Sequence, residues 1–461
     1  MSLPRVFDAF VKISPVTVMM RSILDYALPK DRIDELFRQH AESQREDELL
    51  FSTVVDVLSL VVSGSRRSVN AAYQSEREQV RVSVTSLYNK LAGTEIAVSQ
   101  ALVRETALRL SPVIRRLKLT RPPALPGLRL KILDGNHLAG TEHRLAETRV
   151  LNSQPLPGQA LVMLDPELML AIDAFPCEDA YSQERTLLPQ VLETVQPNDC
   201  LVADRNFCTT HFLFGLVSRK AFFVIRQHGS TLNGKELIGR RQRVGRSDTG
   251  VVYEQTMVLT NPRTNSTLNV RRITVELDEP TEDGETEIHI LTNVPACKAD
   301  ALRIAEIYAG RWTIENAFQE LGQALASEID TLCYPKAALL CFCVGLVLYN
   351  TLSGLKAAIR SAHGDLADNL SGYYLAAEIG ATYRGMLVAI PLKTWQTTFG
   401  KLTAAQMSRT LHKIAINVDP RQFRKNKRGP KRPPPKRTGG LREKHVSTAR
   451  ILAKRMLAMK A

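Results

Sequence analysis

The chain has too few cysteines, and too scattered, for a disulfide framework: seven, an odd number, over 461 residues. Cys341 and Cys343 lie in an apolar run and read as core residues. No secretory leader is expected either. From Met1 to Tyr26, Arg5, Asp8, Lys12, Arg21 and Asp25 interrupt the apolar residues, so a cytoplasmic location is expected. Long apolar stretches are reduced to one, 337–355. It contains Asn350, Thr351 and Ser353 and has no clear flanking anchors, which favours a buried helix over a membrane span. There is no internal repeat. A nucleotide site lacks an essential ligand: Gly229-Ser230-Thr231-Leu232-Asn233-Gly234-Lys235 fits most of a phosphate-binding loop, but Glu236 stands where Ser or Thr must hold magnesium. Gly239 would also interrupt the helix that such a loop requires, so no nucleotide cofactor is expected.

Most of the chain also lacks net charge. Fifteen of the 61 Lys and Arg, but only Glu443 of the 47 Asp and Glu, fall in 421–461, so the whole formal charge of +14 resides there. A basic tail on a neutral body points to a polyanion, most simply nucleic acid; a tail that only aids solubility is the plainer alternative. With 44% apolar and 23% charged residues, the chain has material for two to four globular domains.

Residues 1–120 read as helical, with patterned segments at 49–62 and 96–110 and few Gly or Pro. The run 121–127, Arg-Pro-Pro-Ala-Leu-Pro-Gly, ends that pattern. Strands are then expected at 128–133, 159–164, 168–175, 200–203 and 221–226, with helices at 182–195 and 210–219, an α/β arrangement. From 228 to about 286 polar, Gly- and Thr-rich segments alternate with strands at 251–259 and 268–275, and another strand follows at 288–291, so this interval reads as a β-rich insertion. Its arginines 240, 241, 243 and 246 face either DNA or solvent. Helix resumes around 301–326 and continues to about 418. The stretch 424–437 cannot bury a core and is expected to be disordered without a partner. The resulting division is 1–120, 126–227, 228–286, 287–360, 361–420 and the basic tail 421–461.

Three acids stand out by position. Asp134 ends the apolar run 128–133, Asp204 ends 200–203, and Glu315 lies on the 301–326 helix, four residues after Arg311 and on a face shared with Tyr308. Singly, an Asp at a strand end is most often a turn or cap residue. Together, two strand-end aspartates and a helical glutamate can hold divalent ions for phosphodiester chemistry, since magnesium takes hard oxygen ligands. Glu306 and Glu320 rival Glu315; Glu320 is turned well away around the helix.

The motifs Asp134-Gly135-Asn136, Asp204-Arg205-Asn206-Phe207, and Tyr308, Arg311 and Glu315 at their mutual spacing resemble those of bacterial insertion-sequence DDE transposases of the insertion-sequence-four family, over about 126–325. The family's following lysine is Gly322 here. The resemblance implies a ribonuclease-H-like α/β core interrupted by a β-rich insertion, with an N-terminal helical domain that binds the element's ends. It further implies Asp134, Asp204 and Glu315 as catalytic metal ligands and two Mg2+ ions, with Mn2+ able to substitute. Tyr308, Arg311, Trp312 and Arg205 become DNA contacts, and the partners are transposon-end and target DNA bound by a homodimer in the synaptic complex. Arg311 suits phosphate on its own chemistry, as a guanidinium fork. Trp312 fits either the core, the commoner place, or a stack on an extruded base. His137 could touch phosphate or be structural. The segment Ser83 to Leu91 is either a recognition helix or a plain amphipathic one. Two alternatives stay open: a nuclease of the same fold, and an inactive DNA-binding derivative.

Overall fold

The apolar runs of the middle of the chain become strands of one mixed sheet in the computed structural model, which describes residues 3–43, 48–117, 124–151, 153–229, 232, 234–281, 284–425 and 446–460. The strands are β1 (Arg129–His137), β2 (Gln159–Asp165), β3 (Leu170–Cys177), β4 (Asp199–Ala203), β5 (Phe222–Arg226), β6 (Lys235–Ser247), β7 (Gly250–Thr260), β8 (Thr267–Leu277) and β9 (Glu287–Thr292). Their order is β3-β2-β1-β4-β5-β9-β8-β7-β6. β1, β4 and β5 run parallel, and β2 and β3 antiparallel to their neighbours. β9 pairs antiparallel with β5 and with β8, so β6–β8 extend the same sheet.

β4 and β5 read as unbroken apolar runs because both faces of the sheet are covered. Ile132, Cys200, Val202 and Val224 face a core shared with the helical parts of the chain. Leu133, Leu201, Ala203, Phe223 and Ile225 face a second core. Helices Leu188–Thr194 and Thr210–Ser218 close that second face with Leu192, Phe212, Leu213 and Leu216. Between Arg5 and Leu117 the described chain is helical. The apolar helix Pro335–His363 is long enough to cross a bilayer, but its apolar window is wholly buried within the protein. From it Asn350 accepts from the N–H of Ala171 (2.7 Å) and donates to its C=O (2.8 Å), satisfying the outer side of edge strand β3.

Three expectations change. The 301–326 helix is two helices, Ala301–Ala309 and Trp312–Gln323, because a tight turn intervenes. There Arg311, Thr313 and Ile314 donate to carbonyls three residues back. β6 is a strand that pattern reading did not name; Gly239 and Gly245 and register shifts near Ile238/Gln242 and Arg243/Gly245 break its alternation. The C-terminal basic region is not a uniform tail. A 3-10 turn spans Pro420–Phe423, Lys425 donates to the Asn369 carbonyl, Ser447 bridges to Leu156, and helix Thr448–Lys460 follows. The disorder expected of 424–437 lies outside the described residues from 426 onward. So do 121–123 of the proline-rich break and 230, 231 and 233 of the glycine loop. Lys235 opens a strand, not the helix a phosphate-binding loop needs.

Candidate active site

The parallel pairing of β1 with β4 sets Leu133 beside Ala203, so the next residues, Asp134 and Asp204, lie side by side; Asp204 follows the end of β4, whereas Asp134, expected at a strand end, lies inside β1, which runs on to His137 along β2. Asp134 Oδ1 accepts from the N–H of Gly135 at 3.0 Å. Asp204 precedes the tight turn Arg205–Phe207. The two-helix segment then reaches both. Tyr308 donates its hydroxyl to Asp204 Oδ1 (3.2 Å), Arg311 Nη1 donates to Asp134 Oδ2 (2.6 Å), and Arg311 Nη2 donates to Glu315 Oε1 (3.0 Å). Three acids separated by up to 181 positions are thus linked through two side chains of one turn.

Burial makes this a high-stakes polar cluster. It pushes the Asp134 carboxyl up to about 6, against the pull of Arg311, with Asp204 and Glu184 adding repulsion. The Arg311 guanidinium stays above its ordinary value although burial opposes its charge, because Asp134, Tyr308, Asp204 and Glu315 surround it. Its Nε is buried without a partner. Burial and Asp204 raise the Tyr308 hydroxyl, so it remains a donor.

A second layer of charge borders Asp204. Arg226, at the end of β5, brings Nη1 to 4.0 Å from Asp204 Oδ1. Glu285 accepts from Arg226 and from Arg205 (3.1 Å), so Arg205 faces an acid just before β9 in this arrangement. Trp312 is 63% exposed, which corrects the core placement and leaves its ring beside the site, with the Arg311 guanidinium 6.0 Å from its centroid. His137 is exposed at the end of β1. The rivals of Glu315 are engaged elsewhere: Glu306 with Arg303 (2.8 Å) and Glu320 with Lys356. Gly322 is open, with nothing within 4 Å of where a Cβ would stand.

Glu184 is the residue that sequence reading passed over. It opens the 3-10 turn Glu184–Leu187 after β3, and its carboxylate lies so close over Gly135 that a Cβ there would overlap it. Its only sequence signal is that of an ordinary acid at the start of a helix. Elsewhere, Leu87, Lys90 and Leu91 of helix Val84–Gly93 are buried, leaving Ser83, Thr85, Ser86 and Asn89 exposed. Of the β6 arginines, Arg241 and Arg246 pair with Glu287 and Asp278, and Arg240 and Arg243 are exposed.

Residues 159–349 match the family model described as a transposase DDE domain. This stretch of the chain is a DDE transposase domain. The match contains Asp204 and Glu315 and begins after Asp134. Over 126 residues, 27% of this chain, the sequence is 33% identical to "Putative transposase y4zB" of Sinorhizobium fredii (strain NBRC 101917 / NGR234). The chain spans about a third of that relative's length. Among solved structures, the piggyBac transposase synaptic complex with hairpin DNA aligns over 88% of this chain and 86% of its own, at 9% identity and a TM-score of 0.38, too loose to carry an argument. Arg311 stands between Asp134 and Glu315. Among the described residues, no three His, Cys, Asp or Glu side chains come close enough to share one ion in this arrangement.

Proposed function

We propose that the protein is a DNA transposase that cleaves the ends of an insertion sequence and joins them to target DNA, using a ribonuclease-H-like core built on β1–β5. The observation that carries this reading is the gathering of Asp134, Asp204 and Glu315 around Arg311 and Tyr308. These acids supply hard oxygen donors suited to Mg2+ or Mn2+. The place they define already accommodates a cation, the Arg311 guanidinium, which supports the fit. A pair of divalent ions bound there would activate the attacking oxygen and stabilise the leaving one. Arg311, freed from one of these carboxylates, would offer its fork to backbone phosphate.

In the first step a water oxygen bonds to phosphorus and the bond to the 3′ oxygen breaks, that oxygen leaving as the 3′ hydroxyl. In the second, this hydroxyl attacks a target phosphodiester and displaces its 3′ oxygen. Bonds formed equal bonds broken, so no nucleotide is consumed. Residues 1–120 serve as the end-binding domain, 228–286 as the insertion, and 421–461 as a basic region that adds sequence-independent affinity. A homodimer pairs the two ends in the cytoplasm, at the nucleoid.

A nuclease of the same fold would cut without joining. The test is to supply a pre-cut end bearing a 3′ hydroxyl, a plasmid target and Mg2+: joined product supports transposition, and nicking without joining supports the nuclease. Gly322 favours an inactive DNA-binding derivative as the second reading, because it stands where the family has lysine and Lys356, half-buried, is paired with Glu320. The space around Gly322 admits lysine. If the wild type binds ends but cuts nothing while Gly322→Lys cuts them, that second reading is correct.

A further inference from the structure

Helix Gly372–Ala389 buries one face and leaves the other bare. Leu375, Ile379, Tyr383 and Met386 are buried, and the Tyr383 hydroxyl accepts from Arg21 Nη1 at 2.9 Å, which fixes the rotation of this helix against the N-terminal ones. At about 100° per residue, the outward arc is centred on Ala381. Residues equally far before and after Ala381 match in kind. Ala377 and Gly385 are small and exposed, Tyr374 and Val388 are large and 36% and 79% exposed, and Glu378 and Arg384 carry opposite charges. Nothing stands within 4 Å of where a Cβ on Gly385 would be. Glu378, half-buried, accepts from the Ser14 hydroxyl at 2.9 Å. Arg384 is exposed, and although its charge acts on Glu76 it makes no ion pair among the described residues. A surface helix normally turns its polar side to water. This one turns out an apolar strip flanked by a single cation and a single acid.

We propose that this face docks on the same face of a second copy of the chain, antiparallel, with the two-fold axis at Ala381. In a two-fold pair every contact occurs twice, residue i on j and j on i. Antiparallel pairing about Ala381 sets Arg384 of one copy level with Glu378 of the other, and Val388 level with Tyr374. Ala377, Ala381 and Gly385 carry nothing beyond Cβ, so the two helices can approach closely enough for the guanidinium to reach the carboxylate across them. Parallel pairing would set Arg384 against Arg384 and Glu378 against Glu378, and a lipid surface would leave both charges unmatched. The face would join the two chains of the homodimer proposed above, the reading on which it rests.

The test is sedimentation equilibrium of the full chain without DNA, for the wild type, Ala381→Arg, Arg384→Glu and Glu378→Arg, with thermal melts to report that each is folded. The wild type is expected to be a dimer. Ala381→Arg places two like charges on the axis and should weaken the dimer by at least about a hundredfold. Arg384→Glu and Glu378→Arg should each weaken it when alone, whereas an equal mixture of the two should dimerise, because each supplies the charge that the other lacks. Mixing cannot repair a fold, so that recovery marks contact between chains. A wild-type dimer that Ala381→Arg leaves intact overturns the proposal, and so does a mixture that associates no better than either variant alone. A wild-type chain that is monomeric also overturns it, and its stoichiometry on duplex from the coding region's flanks then decides the homodimer: two chains in one complex keep that reading, and one chain overturns it as well.

Discussion

At Asp134, burial keeps a proton on the folded carboxyl up to about pH 6, whereas the unfolded chain releases it near the ordinary aspartate value. The folded state therefore binds more protons across that window, so the contribution of Asp134 to stability falls as pH rises from about 4 to about 6 and is constant above. Asp134→Asn should remove this slope: the stability difference between wild type and variant, from denaturant melts, changes between those limits and is flat at pH 7 to 8. A difference that is flat throughout contradicts the burial argument. Asp134 and Asp204 stood out in the sequence because acids after apolar runs are visible, and Glu315 because it follows Tyr308 and Arg311 at helical spacing. Glu184 did not, because its meaning depends on where the turn after β3 crosses the strand ends, a tertiary fact. Trp312 was equally opaque, since helical period places a residue on a face but does not say what covers that face.

Among the elements, the segment carrying Tyr308, Arg311 and Glu315 matters most. Its helical character was legible from apolar spacing, but the tight turn at Gly310–Arg311 was not, because Arg and Trp are compatible with unbroken helix. That turn leaves Arg311 at the junction, where its fork spans Asp134 and Glu315. β4 and β5 were legible because their runs are apolar on both faces, and β1 because Leu128, Leu130 and Ile132 alternate with Arg129 and Lys131; β6 was hidden by bulges and arginines at an edge. Helix Pro335–His363 is tied to the opposite edge by Asn350, fully buried and bonded to both backbone groups of Ala171. Asn350→Ala leaves two buried groups without partners, and a loss of about 2–4 kcal/mol is expected. Chemical denaturation measures it; a loss below about 1 kcal/mol would mean that the β3 edge finds another partner.

For the molecule as a whole, the separation of charge was fully legible, since it requires only counting. The anchoring of the basic region was not. Lys425 is held beside Asn369, and Ser447 and Arg450 bond Asp179 at 2.8 Å each, so the flanks of 426–445 are fixed to the body at two places. Replacing the eight Lys and Arg of 426–445 by Gln should leave thermal stability unchanged and flatten the salt dependence of non-specific DNA binding, by about 0.9 in log–log slope for each phosphate that is no longer neutralised. Titrations between about 50 and 200 mM salt measure that slope. An unchanged value would assign the affinity to other surfaces, such as Arg240 and Arg243 of β6.

The central claim, that Asp134, Asp204 and Glu315 together carry phosphodiester chemistry on DNA, is tested most directly by excision. The coding region's own flanks are placed on a donor plasmid and incubated with Mg2+ and purified protein, as wild type and as Asp134→Asn, Asp204→Asn and Glu315→Gln. The expected result is excision by the wild type, its loss in all three variants, and retained binding of the flanks in each. Excision that survives any one of the three substitutions would contradict the account.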